Sequence, residues 1–262
     1  MSVHTLVRWS MLAIVGSSAP LHAQQLSERI AAIGDGMANF HFTGRPGVCG
    51  DGQRFMRIGR HSYMGSYSRD ARLEQCVPGP LQVRVTVHNG AVERVETWAG
   101  SLRPRDGKEL GVVPAPEAAR FLLNIALRGS SYASAKAILP AVLADSATAW
   151  PTLLTIASDK EGRSHSTRQD AMFWLSRYAA GAVEGRPNSP IDDDDDDDEK
   201  EGEDLKSHAV FVMSQLPHGE GVPSLLEVAR SNKDAHVRGK ALFWLGQSED
   251  PRALRLFESI LR

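Results

Sequence analysis

Five side chains between positions 41 and 74 are able to move protons: His41, Asp51, His61, Asp70 and Glu74. General acid–base chemistry needs two such groups within hydrogen-bond reach of one substrate. No spacing among the five singles out such a pair. They therefore define an alternative reading, an enzyme of unrecognised type with its site between this stretch and the first helices. Other catalytic arrangements find no match. Gly-x-Ser-x-Gly is absent, and Gly50-Asp51-Gly52 is followed by no Lys-Ser/Thr pair at phosphate-loop spacing. His165, His208, His218 and His236 never form a His-Glu dyad on one helix face, which disfavours di-iron chemistry. No cofactor and no metal site is expected.

Cys49 and Cys76 are the only cysteines. A structural zinc site takes four ligands, and these two have no histidine at ligand spacing. The N-terminus suggests their fate. Arg8 precedes the apolar run Trp9 to Gly16, and small and polar residues lead to Ala23. That order reads as a signal peptide over residues 1–23, cleaved after Ala23, and the run is too short for a bilayer span of ~20 residues. Export to the periplasm or beyond puts the cysteines in an oxidising compartment, where an even count predicts one disulfide. No later segment reads as a membrane span.

The formal charge of −2 is unevenly spread. Eleven carboxylates between Asp192 and Asp204 are offset only by Lys200, so this strip carries −10 while the rest of the mature chain carries +7. The strip cannot bury apolar surface, and the insert it belongs to, at about 185–204, is expected to be a disordered, solvated loop. An unbroken Asp run lacks the spaced ligands and turn glycine of a calcium loop. So acidic a strip on an exported chain also argues against a nucleic-acid partner.

The elements around these residues divide the chain in two. Leu26, Ile30 and Ile33 share one face of a short helix. Residues 41–79 are rich in Gly, Arg and Ser, with strand-like scraps such as 54–58. Leu81, Val83, Val85 and Val87 alternate with polar residues up to Asn89-Gly90, a pair suited to a type I′ turn, so a β-hairpin is expected. The alternation slips after the turn, which predicts a bulge in the second strand. Residues 24–112 thus read as a small β-rich region, too thin in apolar residues to be securely independent. Beyond residue 113 the period becomes helical. Eight short amphipathic segments follow, joined by short polar links, with Pro151, Pro223 and Pro251 at first-turn positions.

Within this half, Ala171-Met-Phe-Trp-Leu175, Ala209-Val-Phe-Val-Met213 and Ala241-Leu-Phe-Trp-Leu245 repeat at spacings of 38 and 32 residues. Two helices per period in this range are a solenoid signature, with Phe173, Phe211 and Phe243 expected to fill the grooves between layers. Val237-Arg-x-x-Ala241-x-x-x-Leu245-Gly246 and the following Asp250-Pro-Arg-Ala253 resemble the HEAT-like repeats of the phycobilisome-lyase type. The resemblance covers roughly residues 130–262. It implies a short α-solenoid with a binding surface, and no single activity.

Three residues before each repeated Ala stand Arg168, Lys206 and Arg238. In a regular stack they would align as a basic ladder, either for an acidic partner or for pairing with acids such as Asp170 and Asp234. Trp174 and Trp244 read as core. The expected protein is mainly α, an exported binding or scaffold protein whose helical surface holds another protein.

Overall fold

The computed structural model describes residues 25–59, 61–64, 76–129, 131–191 and 201–262, and of residues 61–64, 131 and 201–205 the backbone only. The signal-peptide reading, Asp70, Glu74 and the core of the acidic strip lie outside the described residues. The chain is mainly α with two small sheets.

Helix α1 (Leu26–Ala31) leads into β1 (Gly36–Phe42), the centre of the larger sheet. Strands β6 (Leu81–His88) and β7 (Ala91–Ala99) form the expected hairpin, and β8 (Lys108–Val112) completes the order β7-β6-β1-β8. Asn89 and Gly90 both take positive φ, 50° and 73°, as a type I′ turn requires. Register slips where Val87 pairs with Val92 instead of Glu93, so the bulge is in the second strand. Strand β1 runs antiparallel to β6 and parallel to β8. Its alternating Ala38, Phe40 and Phe42 are buried.

The smaller sheet, β2 (Val48–Gly50), β3 (Met56–Ile58), β4 (His61–Met64) and β5 (Val77–Pro78), has the order β4-β3-β2-β5. Cys49 lies in β2 and Cys76 immediately before β5. Antiparallel pairing of these strands brings their Cα atoms to 5.1 Å, and the disulfide is formed.

Among the described residues the β-rich region has no core separate from that of the helices. Its buried residues and those of the helices form one hydrophobic cluster, in which the Phe40 ring meets Phe121 edge-on at 6.1 Å. Arg45 ties the halves together. Its guanidinium donates to the carbonyls of Val142 (2.8 Å), Asn188 (2.9 Å) and Ala147 and lies against Tyr178.

Helices α2 (Ala115–Arg128) and α3 (Ser131–Leu143) form a hairpin, with α3 resting on β7 and β6. Then follow α4 (Trp150–Ser158), α5 (His165–Val183), α6 (Glu201–Ser214), α7 (Val222–Ser231), α8 (Ala235–Gln247) and α9 (Pro251–Leu261). Ser164, Asp234 and Asp250 cap α5, α8 and α9 with their side-chain oxygens. Pro151, Pro223 and Pro251 occupy first turns as expected.

Spatial order departs from sequence order. A stack built repeat by repeat would seat α6 against α5. Instead α8 packs along α5, and α6 meets α8 and α7. Two glycines make the seat. A Cβ at Gly246 would meet Ser176 and, at 3.2 Å, the Met172 carbonyl, while one at Gly239 would meet Glu184 and Ala180. The repeat alignment puts Ser207 and Ser214 of α6 at the equivalent positions, so α6 lacks the bare backbone needed for so close an approach. These contacts pair the end of α8 with the middle of α5 and its start with the end of α5, so the two helices run antiparallel.

Candidate functional site

Two surfaces concentrate side chains suited to recognition. The first is the outer face of α6 and α8. Because α8 takes the place beside α5, α6 lies at the edge of the described helices, packed on α8 and α7. Phe211, Val212 and Leu216 are therefore 40%, 48% and 44% exposed, where groove filling predicts a buried Phe211. They are three of the seven exposed large hydrophobic residues among the described ones, gathered within six positions. An aromatic row continues from them: Phe211 to Trp244 at 5.2 Å, Trp244 to Phe243 at 5.1 Å, and Phe243 to Phe173 at 6.2 Å. Phe173, Phe243 and Trp244 are only partly buried, whereas Trp174 is 4% exposed and belongs to the core as expected.

The three cations predicted as a ladder do not form one row. Arg168 stands near the start of α5 and lines a small cleft between α4, α5 and α9. Arg238 donates to the carbonyls of Asn232 (2.8 Å), Lys233 (3.3 Å) and Val183 (3.1 Å). It thus caps the ends of α7 and α5, where helix dipoles favour a cation. Arg168 and Val183 are 15 residues apart on one helix, a rise of about 22 Å. Antiparallel packing of α5 and α8 therefore puts Arg168 and Arg238 at opposite ends. Lys206 is exposed, 3.8 Å from Asp234, so pairing with that acid is realised. Among the three, Lys206 alone flanks the exposed face of α6.

The second surface is a cleft of about 620 Å³ between the larger sheet and the helices. Its floor is β7, from Val95 to Trp98. One wall is α3, with Tyr132, Lys136, Ile138 and Leu139, and the other is α5, with Asp170 and Trp174; Gln53 and Arg54 stand at the rim. Arginines brace the aromatic wall. Arg105 lies 3.4 Å and Arg84 5.4 Å from the centre of the Trp98 ring, and Arg94 lies 5.8 Å from that of Tyr132. Glu96 is held by Arg84 at 2.8 Å. Asp170 differs. It is half-buried and has no hydrogen bond or ion pair among the described residues, and burial pushes its carboxyl above the ordinary value of 3.8 although Lys136 pulls the other way.

Of the five acid–base groups of the sequence, the two whose side chains are described, His41 and Asp51, do not line this cleft. His41 lies 3.9 Å from Glu109 in the β1–β8 pair. Asp51 organises a turn, its Oδ1 accepting from the amides of Gln53 (2.7 Å), Arg54 (2.9 Å) and Phe55 (2.9 Å). Burial would raise its pKa, but these amides hold it below the ordinary carboxylate value. Only the backbone of His61 is described. Among the described residues no group of three or more His, Cys, Asp or Glu side chains is placed to hold a metal ion. No helix among them is long and apolar enough to cross a membrane.

No family model, characterised protein sequence or solved structure matches this chain.

Proposed function

We propose that this is an exported binding protein that holds another protein on the outer face of α6 and α8. The helical half reads as HEAT-like repeats folded back on one another, with α8 of the last copy seated between α5 and α6 of the two before it. The observation that carries the reading is the apolar patch of Phe211, Val212 and Leu216, continued inward by Trp244. Clustered apolar exposure of this kind marks interaction surfaces, and Trp is among the residue types enriched in the few positions that dominate interface energy. The partner is a protein presenting an apolar segment flanked by carboxylates, because Lys240 lines one hollow with Phe211, Phe243 and Trp244 and exposed Lys206 precedes Phe211 on α6, and a basic rim favours acidic partners.

The test is capture of partners from the native envelope by wild-type protein, Phe211→Asp and Lys206→Glu in parallel. Recovery of one partner by wild type, its loss with Phe211→Asp, and a Lys206→Glu deficit that fades as salt rises are the expected results. Equal recovery by all three overturns the assignment.

A further inference from the structure

The cleft between β7, α3 and α5 takes no part in the proposed protein interface, and its chemistry is of another kind. Its volume of about 620 Å³ falls within the range of small-ligand sites. It is too large for a single amino acid to fill. Ile138, Leu139 and Trp174 give it an apolar interior, and its charged groups differ in whether protein neighbours neutralise them.

Glu96 is matched by Arg84, and the arginines at Trp98 and Tyr132 lie against the rings. Asp170 on α5, Lys136 on α3 and Arg54 at the rim remain. They share the cleft, and none of the three side chains makes an ion pair or hydrogen bond among the described residues. Lys136 is near enough for its charge to act on Asp170, yet the two are not within the 4.0 Å of an ion pair. A half-buried carboxylate without a partner is unfavourable, and an arriving ammonium group would relieve it.

The signs of these charges select the ligand class. A simple cation would pair with Asp170 and be repelled by Lys136 and Arg54. A simple anion would face the reverse. A molecule with both charges at its ends satisfies both walls, and apolar side chains between them match the interior. We propose that the cleft binds a short zwitterionic peptide with apolar side chains, its ammonium group at Asp170 and its carboxylate at Lys136 and Arg54.

The experiment is calorimetric titration of the protein with Leu-Leu-Leu, with its N-acetylated form and with its C-terminal amide. Binding of the unmodified peptide is expected. Each blocked end should weaken it about tenfold or more, the usual scale for a charge-assisted hydrogen bond. Asp170→Asn should erase the preference for the free amine while keeping that for the free carboxylate, and Lys136→Gln should do the opposite. The blocked peptides test the proposal on the wild-type fold, whatever the variants do to stability. Absence of binding by Leu-Leu-Leu, or equal affinity for free and blocked ends, overturns it. Neither outcome bears on the α6–α8 face, which shares no residue with the cleft.

Discussion

Replacing Gly246 tests the out-of-sequence packing of α8 against α5. An added Cβ would stand 2.5 Å from Ser176 Oγ and closer still to Ser176 Cβ, against an ordinary carbon contact of about 3.5–4.0 Å. Both residues are buried, and a Cβ has no rotamer by which to escape. The overlap of about 1 Å must be relieved by moving two helices apart, which places the cost near the upper end of the ~1–3 kcal/mol typical of overpacking. Alanine regains about 1 kcal/mol over glycine in a helix interior, so Gly246→Ala should lose about 2 kcal/mol net. For a chain of this length that is a fall of roughly 4–8 °C in Tm. Gly239→Ala on the same helix is the control. Its Cβ would meet the carboxylate end of Glu184, which would have to turn within its ion pair to Arg186, and Ala180 only at 3.7 Å, so its loss of stability should be clearly smaller than that of Gly246→Ala. Urea unfolding followed by tryptophan fluorescence reads both. A Gly246→Ala protein as stable as wild type would show that α8 is not seated on α5 as described.

Two further outcomes follow from single side chains. Arg45→Met should destabilise the protein by about 3 kcal/mol in the same assay, because carbonyls from three segments lose a charged donor, and Arg45→Lys should not restore it, since one ammonium cannot span that fork. Asp170 has a folded pKa above its ordinary value of 3.8, so the folded state binds more protons in that window and stability falls as pH rises through it; Asp170→Asn should be the more stable protein at neutral pH, and the difference should vanish below about pH 3.8.

Local patterns were the legible part of this chain. The hairpin could be read because Asn89-Gly90 and the alternation from Leu81 to Val87 act over a few residues, and the helices because each carries its own period. The disulfide followed from having only two cysteines. Strand β1 escaped because its partner β8 lies more than sixty residues away and offers only Leu110 as a buried apolar residue. The stack order escaped because a repeat gives spacing along the chain and not which copies touch. One signal did exist: Gly239 and Gly246 in the last copy against Ser207 and Ser214 in the one before, together with the longer spacing across the acidic insert. The cleft could not be read, since its residues come from four separated segments whose convergence depends on α3 lying across β7.

The most direct test of the proposed interface is site-specific photo-crosslinking in the cells that make the protein, with a benzophenone side chain installed in place of Val212. Val112, 75% exposed on β8, provides the control position. A discrete adduct from position 212, absent from position 112 and lost when Phe211→Asp is added, is the result the account predicts. No discrete adduct at 212, or the same adduct from both positions, would contradict it.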